Sequence, residues 1–214
     1  MIEFYPPLHE YREGDIVIPG VTQILKDAGI VSGFFYSEEA RERGSAVHEL
    51  CERYANGGRF DEKGRRLETL AYLNAFAAWV RENGVYAIST ETTVDHETDG
   101  FRYCGRYDLL AEIRKERVLA DIKSGSPAKW HVTQIAAYAL AVNPAKTLLL
   151  YLKADGSYKE RYIPSGELLE GIGSFRRAVR RARSTNSEQQ EKAAREAAAR
   201  TKADGETAVT ARPV

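Results

Sequence analysis

Hydrophobic and polar positions change period several times along the chain, and each change marks an element. VTQILKDA over Val21–Ala28 reads as a short helix, with Thr22 as a weak N-cap and Gly29 as its stop. From Ser37 the period is helical to about Ala55. Ala40, Gly44, Val47, Cys51, Tyr54 and Ala55 form a small or apolar stripe that also carries His48. Ser37 is placed to cap this helix, and Glu38 and Glu39 suit the positive end of its dipole. Gly44 costs about 1 kcal/mol relative to alanine in mid-helix, which points to close approach of a backbone or a ligand. A second long helix is predicted over roughly Gly64–Glu82, with Leu67, Leu70, Ala71, Asn74, Ala77 and Ala78 on its stripe, ended by Asn83-Gly84.

The pattern then turns β-like. Val85–Asp95 is rich in β-branched and aromatic residues, His96–Gly100 reads as a turn, and Phe101–Ile113 and Glu116–Lys123 read as strands around a charged turn. A helix over Trp130–Val142 closes at Asn143-Pro144. KTLLLYLK over Lys146–Lys153 reads as a buried strand, Asp155-Gly156 as a hairpin turn, and Tyr158–Ile163 as the last strand. A final helix runs from Pro164-Ser165 to about Arg183. Residues 1–19, broken by Pro6, Pro7 and Pro19, read as an irregular or extended lead. The fold class is α/β, a central mixed β-sheet of about five strands flanked by helices, with an N-terminal helical segment. One domain spans 1–184. Residues 185–214 form an Ala-, Glu- and Arg-rich tail, helical or disordered, with almost nothing apolar to bury.

Composition narrows the picture. Lys+Arg and Asp+Glu number 31 each, so net charge is zero, which leaves room for a local basic groove. Two cysteines, Cys51 and Cys104, cannot frame a disulfide scaffold or supply a four-cysteine zinc or iron–sulfur site, and are expected to be reduced and buried in a cytoplasmic protein. No signal peptide, membrane span or internal repeat is read, and no glycine-rich phosphate loop.

The candidate chemistry converges on 105–138. Asp108 lies on one strand, and Asp121 and Lys123 share a face at the end of the next, with Ile122 on the other. Trp130, Gln134 and Tyr138 share one face of the following helix. Singly each has an ordinary reading: a solvated strand end, a core histidine, the polar edge of a helix. Together, two carboxylates, a lysine and a polar pair at one sheet edge suit a hard divalent cation and an activated water. A charge at Asp121, after Val118-Leu119-Ala120, needs a partner if it is buried.

Five stretches carry a resemblance to the PD-(D/E)XK nuclease superfamily, in its RecB-like and phage-exonuclease branch. IPGVTQIL, ARERGSAVHELCERY, GRYDLL, DIKSG and QIAAY resemble that family's motifs, in the family's order, over about residues 16–140. Two departures are Asp121 where many relatives have Glu, and Ser124 where Thr is usual. The resemblance implies a restriction-endonuclease-like core. It implies His48, Asp108, Asp121 and the Ile122 carbonyl as ligands of Mg2+ or Mn2+, and Lys123 orienting the attacking water. It gives Gln134 and Tyr138 a positioning role, Glu52 a supporting one, and Glu91 a more speculative place. The activity implied is a metal-dependent DNA nuclease, an exonuclease processing DNA ends in recombination, repair or phage DNA metabolism. The alternatives are a structure-specific endonuclease, or a DNA-binding subunit active only with a helicase, annealing or other recombination partner protein. Arg41, Arg43 and Lys129 are candidate strand contacts. Arg176, Arg177, Arg180, Arg181 and Arg183 read equally as phosphate contacts or as a solvated helix end.

Overall fold

The computed structural model describes residues 2–5, 10–31, 37–58 and 67–184. The expected tail (185–214), Pro6-Pro7 and the expected start of the second long helix before Leu67 lie outside these. The main sheet has five strands in the order β4 (Tyr86–Thr98), β5 (Phe101–Ile113), β6 (Glu116–Lys123), β7 (Lys146–Leu152) and β8 (Tyr158–Tyr162). Neighbours are antiparallel except β6 and β7, which run parallel because α4 (Trp130–Val142) crosses between them.

Both faces of the sheet are covered. Leu110, Leu119 and Leu149 pack beneath α1 (Val21–Asp27), α4 and α5 (residues 165–184), against Ile24, Ile135 and Phe175. Leu109, Ala120, Leu148 and Leu150 face α2 (Glu38–Ala55) and α3 (Leu67–Asn83), against Val47, Phe76 and Trp79. This two-sided burial explains why β6 and β7 read as apolar runs. Ser37 caps α2, its Oγ accepting from the Ala40 N–H at 3.2 Å.

Of the two readings of the lead the extended one holds, and two other expectations need correction. β1 (Glu3–Tyr5), β2 (Glu10–Glu13) and β3 (Ile16–Ile18) form a small antiparallel sheet. Strands of three or four residues are too short to show a period. Thr22 is not the cap of α1. Gly20 holds that position with no side-chain bond. The His96–Gly100 turn is only Asp99-Gly100, since β4 runs to Thr98.

The α5 arginines hold this turn. Arg180 Nε donates to Asp99 Oδ2 at 3.0 Å, Arg176 Nε to Thr98 Oγ1 at 3.3 Å, and Arg183 to the Asp99 carbonyl. Arg181 donates to the Ala28 carbonyl, and Arg177 to Ser174 Oγ. The cluster ties the β4–β5 hairpin and α1 to α5, a structural use that the phosphate reading does not need.

Elsewhere, His131 is buried beside Tyr151, whose hydroxyl lies 3.2 Å from Nδ1. Burial, with the charges of Lys123 and Arg161, pushes its pKa down to about 3. A histidine depressed in the folded state is protonated first in the unfolded chain, so stability is lost as pH falls below about 6.5. Each pH unit in that window costs up to about 1.4 kcal/mol. Thermal unfolding at pH 7 and pH 5 should therefore show a smaller loss for His131→Gln than for wild type.

Candidate metal centre

The site is built by two hairpin turns. Asp99-Gly100 and Arg114-Lys115 both have positive φ at both residues (53° and 70°, 52° and 67°), as two-residue hairpin turns with the right twist require. Such turns fix register. Eight residues out from the first turn on either side stand Glu91 and Asp108, between the rungs Thr90↔Leu109 and Thr92↔Tyr107. Six residues out from the second stand Asp108 and Asp121, one step past the last rung, Leu109↔Ala120. Three carboxylates thus lie in one row across β4, β5 and β6. Like charges directly opposite destabilise a sheet unless something cationic sits among them.

The ladder opens at this row. Past Leu109↔Ala120, Asp108 Oδ2 takes the Ile122 N–H at 2.5 Å in place of a backbone partner. Its other oxygen faces His48 Nδ1 at 3.2 Å, and His48 Nδ1 lies 3.5 Å from Glu91 Oε1. Glu91 has φ 42°, a left-handed conformation that a non-glycine residue adopts at a cost of about 1–3 kcal/mol. Arg106 Nε donates to the Glu91 carbonyl at 2.7 Å and lies 2.9 Å from its carboxylate. His48, Glu91 and Asp108 each offer a ligand atom, all within 4.8 Å of one another.

Asp121 is 2% exposed, and its Oδ2 lies 2.6 Å from Lys123 Nζ. The contact is ionic rather than a directed hydrogen bond, and that oxygen accepts no hydrogen bond among the described residues. Lys123 Nζ instead donates to Gln134 Oε1 at 2.8 Å and lies 5.6 Å from the centre of the Trp130 ring. Gln134 Nε2 points to Thr22 Oγ1 at 3.3 Å and, at the long limit, to the Tyr138 hydroxyl at 3.5 Å. Gln134 is 8% exposed, so it is no solvated helix edge. Its amide holds the lysine on one side and α1 on the other.

Electrostatics separate the two aspartates. Burial raises both, but His48, Lys123 and the Ile122 N–H outweigh it at Asp108, which ends below the usual carboxylate range. At Asp121 burial wins over Lys123, and its pKa rises to about 6. Burial lowers His48, yet the charge and hydrogen bonding of Asp108, with Glu91, carry it up to about 10. Lys123 loses from burial and gains more from Asp121 and Asp108, which hold its pKa above the usual lysine value and favour the charged form in the metal-free site. The metal-free site balances three carboxylates against His48, Lys123 and Arg106.

The donor set fits a hard divalent cation: carboxylate oxygens with one imidazole nitrogen, at a cleft of about 690 Å³. The cleft is walled by Phe4 and Tyr11 of the small sheet, with Thr22, Lys26 and Glu52 at its sides. Gly44 also lines it, and the nearest atom to an added Cβ there would be Ser124 Oγ at 4.0 Å. The glycine keeps the cleft open rather than admitting a neighbouring backbone. At Gly105 the opposite holds. A Cβ would stand 2.5 Å from Tyr138 Cε1 and 3.0 Å from Val21 Cγ2. Gly105→Ala should cost about 1–3 kcal/mol, read by chemical denaturation, as Tyr138 is forced aside.

Of the residues expected from sequence, His48, Asp108, Asp121, Lys123, Gln134 and Tyr138 all line this cleft. Ile122 enters through its N–H. Glu91, only speculative from sequence, stands in the row itself. Arg41 and Arg43 do not line the cleft; Arg43 lies 3.9 Å from Glu68.

No protein-family model matches the chain, and no curated protein matches its sequence. Solved structures with a similar backbone include LHK-Exo in complex with dAMP, 15% identical, covering 83% of this chain and 94% of that one, with a TM-score of 0.46. Another is a phage-related exonuclease from Haemophilus somnus 129PT, 14% identical, covering 80% and 96%, with a TM-score of 0.39. The three-stranded antiparallel meander, crossover helix and parallel fourth strand, with D-x-K ending the third strand, are the arrangement that the resemblance to the PD-(D/E)XK superfamily implies.

Proposed function

We propose that the chain is a metal-dependent DNA nuclease. The observation that carries this is the row of Glu91, Asp108 and Asp121 across three strands, with His48 and Lys123 at its ends. His48, Glu91 and Asp108, with ligand atoms within 4.8 Å of one another, favour a bound cation over the metal-free state. Register sets Asp121, which lies outside that cluster, beside Asp108. Asp108 and Asp121 are the central ligands, His48 and Glu91 flank Asp108, and the Ile122 carbonyl is a further donor. A divalent ion there would offset phosphodiester charge and lower the pKa of a water. Hard oxygen donors suit Mg2+, and an imidazole makes Mn2+ well tolerated.

The chain's own groups supply the rest. Lys123, kept charged by Asp121, stabilises the hydroxide and the negative charge growing on the phosphoryl oxygens. Gln134 fixes the Nζ position through its 2.8 Å bond. Tyr138 can accept from the Gln134 amide, its hydroxyl 3.5 Å from Nε2. Exonucleolytic action on DNA ends is the reading we favour.

The test is incubation of end-labelled linear duplex, linear single strand and closed circular DNA with Mn2+, with and without EDTA. Loss of linear substrates with circles spared, abolished by EDTA, is the expected result. Cutting of circles would establish an endonuclease instead. No cleavage with any divalent ion, alongside salt-sensitive binding, would leave a DNA-binding subunit that needs a partner.

A further inference from the structure

A second cleft of about 790 Å³ lies on the far side of Trp130 from the carboxylate row, between the start of α4, strands β7 and β8, and α5. Its floor is closed by Gly171, where an added Cβ would meet the Val132 carbonyl at 3.1 Å and Ala136 Cβ at 3.0 Å. The glycine lets α5 settle onto α4. The half-buried Trp130 ring lines this cleft, and Nζ of Lys123, which lines the first cleft, lies 5.6 Å from its centre. Around it stand Lys129, Lys159 and Arg161, with Glu167 and Glu170 on the α5 side. Arg161 is paired with Glu167, whereas Lys129 and Lys159 make no ion pair among the described residues.

We propose that this second cleft holds a single strand of DNA beside the cut site, with Trp130 stacking on a base and Lys129 and Lys159 meeting its phosphates. The inference rests on the nuclease reading for the identity of the polymer. Its own support is the setting of Trp130, whose ring is open to a cleft, flanked by ammonium groups that make no ion pair among the described residues, and 5.6 Å from Lys123 Nζ. Aromatic rings in basic grooves are how proteins hold single strands without reading sequence.

Tryptophan emission tests this without cleavage. The chain has two tryptophans, and Trp79 is fully buried with its Nε1 bonded to Glu160, so a change in emission reports Trp130. In EDTA, a 12-residue oligothymidylate should quench the emission. Trp130→Ala should weaken binding by about tenfold or more, read by fluorescence anisotropy of a dye-labelled oligothymidylate. The Lys129→Glu/Lys159→Glu double variant should reduce the slope of log K against log salt by about 1.4, at about 0.7 per phosphate contact on a single strand. Lys115→Glu, in the β5–β6 turn, should keep the wild-type slope. Binding with unchanged emission and an unchanged slope in the double variant would overturn the proposal while Mn2+-dependent cleavage kept the nuclease reading. An equal loss in Lys115→Glu would overturn it too, as a general charge effect. Absence of both binding and cleavage would end both readings.

Discussion

Exchanging Asp108 for asparagine should lower DNA cleavage on the order of 10³-fold and abolish the Mn2+-induced rise in melting temperature. Asp108 is the middle carboxylate of the row, bonded to His48 on one side and to the Ile122 N–H on the other. Asparagine keeps an oxygen for the Ile122 N–H, so the opened ladder survives. It removes the charge that a cation needs between Glu91 and Asp121. For wild type, an ion at 100 times its Kd adds about 2.7 kcal/mol, or roughly 5–10 °C in a domain of this size. The asparagine variant should melt at the same temperature with and without Mn2+, close to the metal-free wild type. A variant that still gains several degrees would place the ion elsewhere.

Lys123→Ala separates ion binding from turnover. Cleavage should fall on the order of 10²–10³-fold, because a fixed charge at the reacting phosphate is lost, while the Mn2+ shift persists. The metal-free protein carries a second cost. Asp121 is buried, and Lys123 is its counter-charge. Breaking a buried pair on one side costs about 3–5 kcal/mol. The sign with pH follows from Asp121. Burial already lifts its folded pKa to about 6, above the unfolded 3.8, and loss of Lys123 lifts it further. A carboxyl raised in the folded state loses stability as pH rises from its unfolded to its folded value. The gap between variant and wild type should therefore widen from pH 5 to pH 8 in EDTA, and narrow when Mn2+ is added. Guanidinium unfolding at the two pH values measures it. A gap independent of pH would mean that Asp121 does not depend on Lys123 for its charge.

Much of this was legible in the chain. The helical stripe from Ser37, the β5 and β6 limits and α4 follow from period and punctuation, and the D-x-K triplet on β6 placed Asp121 and Lys123 on one face. Glu91 was harder to see. Within STETTV it looks like an exposed strand charge, and nothing local marks its positive φ. The signal was longer range: counting outward from Asp99-Gly100 and Arg114-Lys115 aligns Glu91, Asp108 and Asp121. Arg114-Lys115 hid half of it, since neither residue is the glycine or asparagine that usually marks two positive-φ positions. The small N-terminal sheet escaped because its strands are shorter than any usable window. The α5 arginines looked equally like a phosphate patch because their partners at Thr98 and Asp99 lie about eighty positions away in sequence.

The most direct test of the carboxylate row is crystallographic: crystals of the wild-type chain soaked in Mn2+ and measured for anomalous scattering. The account predicts a peak within coordination distance of Asp108, with Asp121 and His48 as co-ligands, and its loss in Asp108→Asn. Full soaking with no peak at that row, or a peak that remains in the variant, would contradict it.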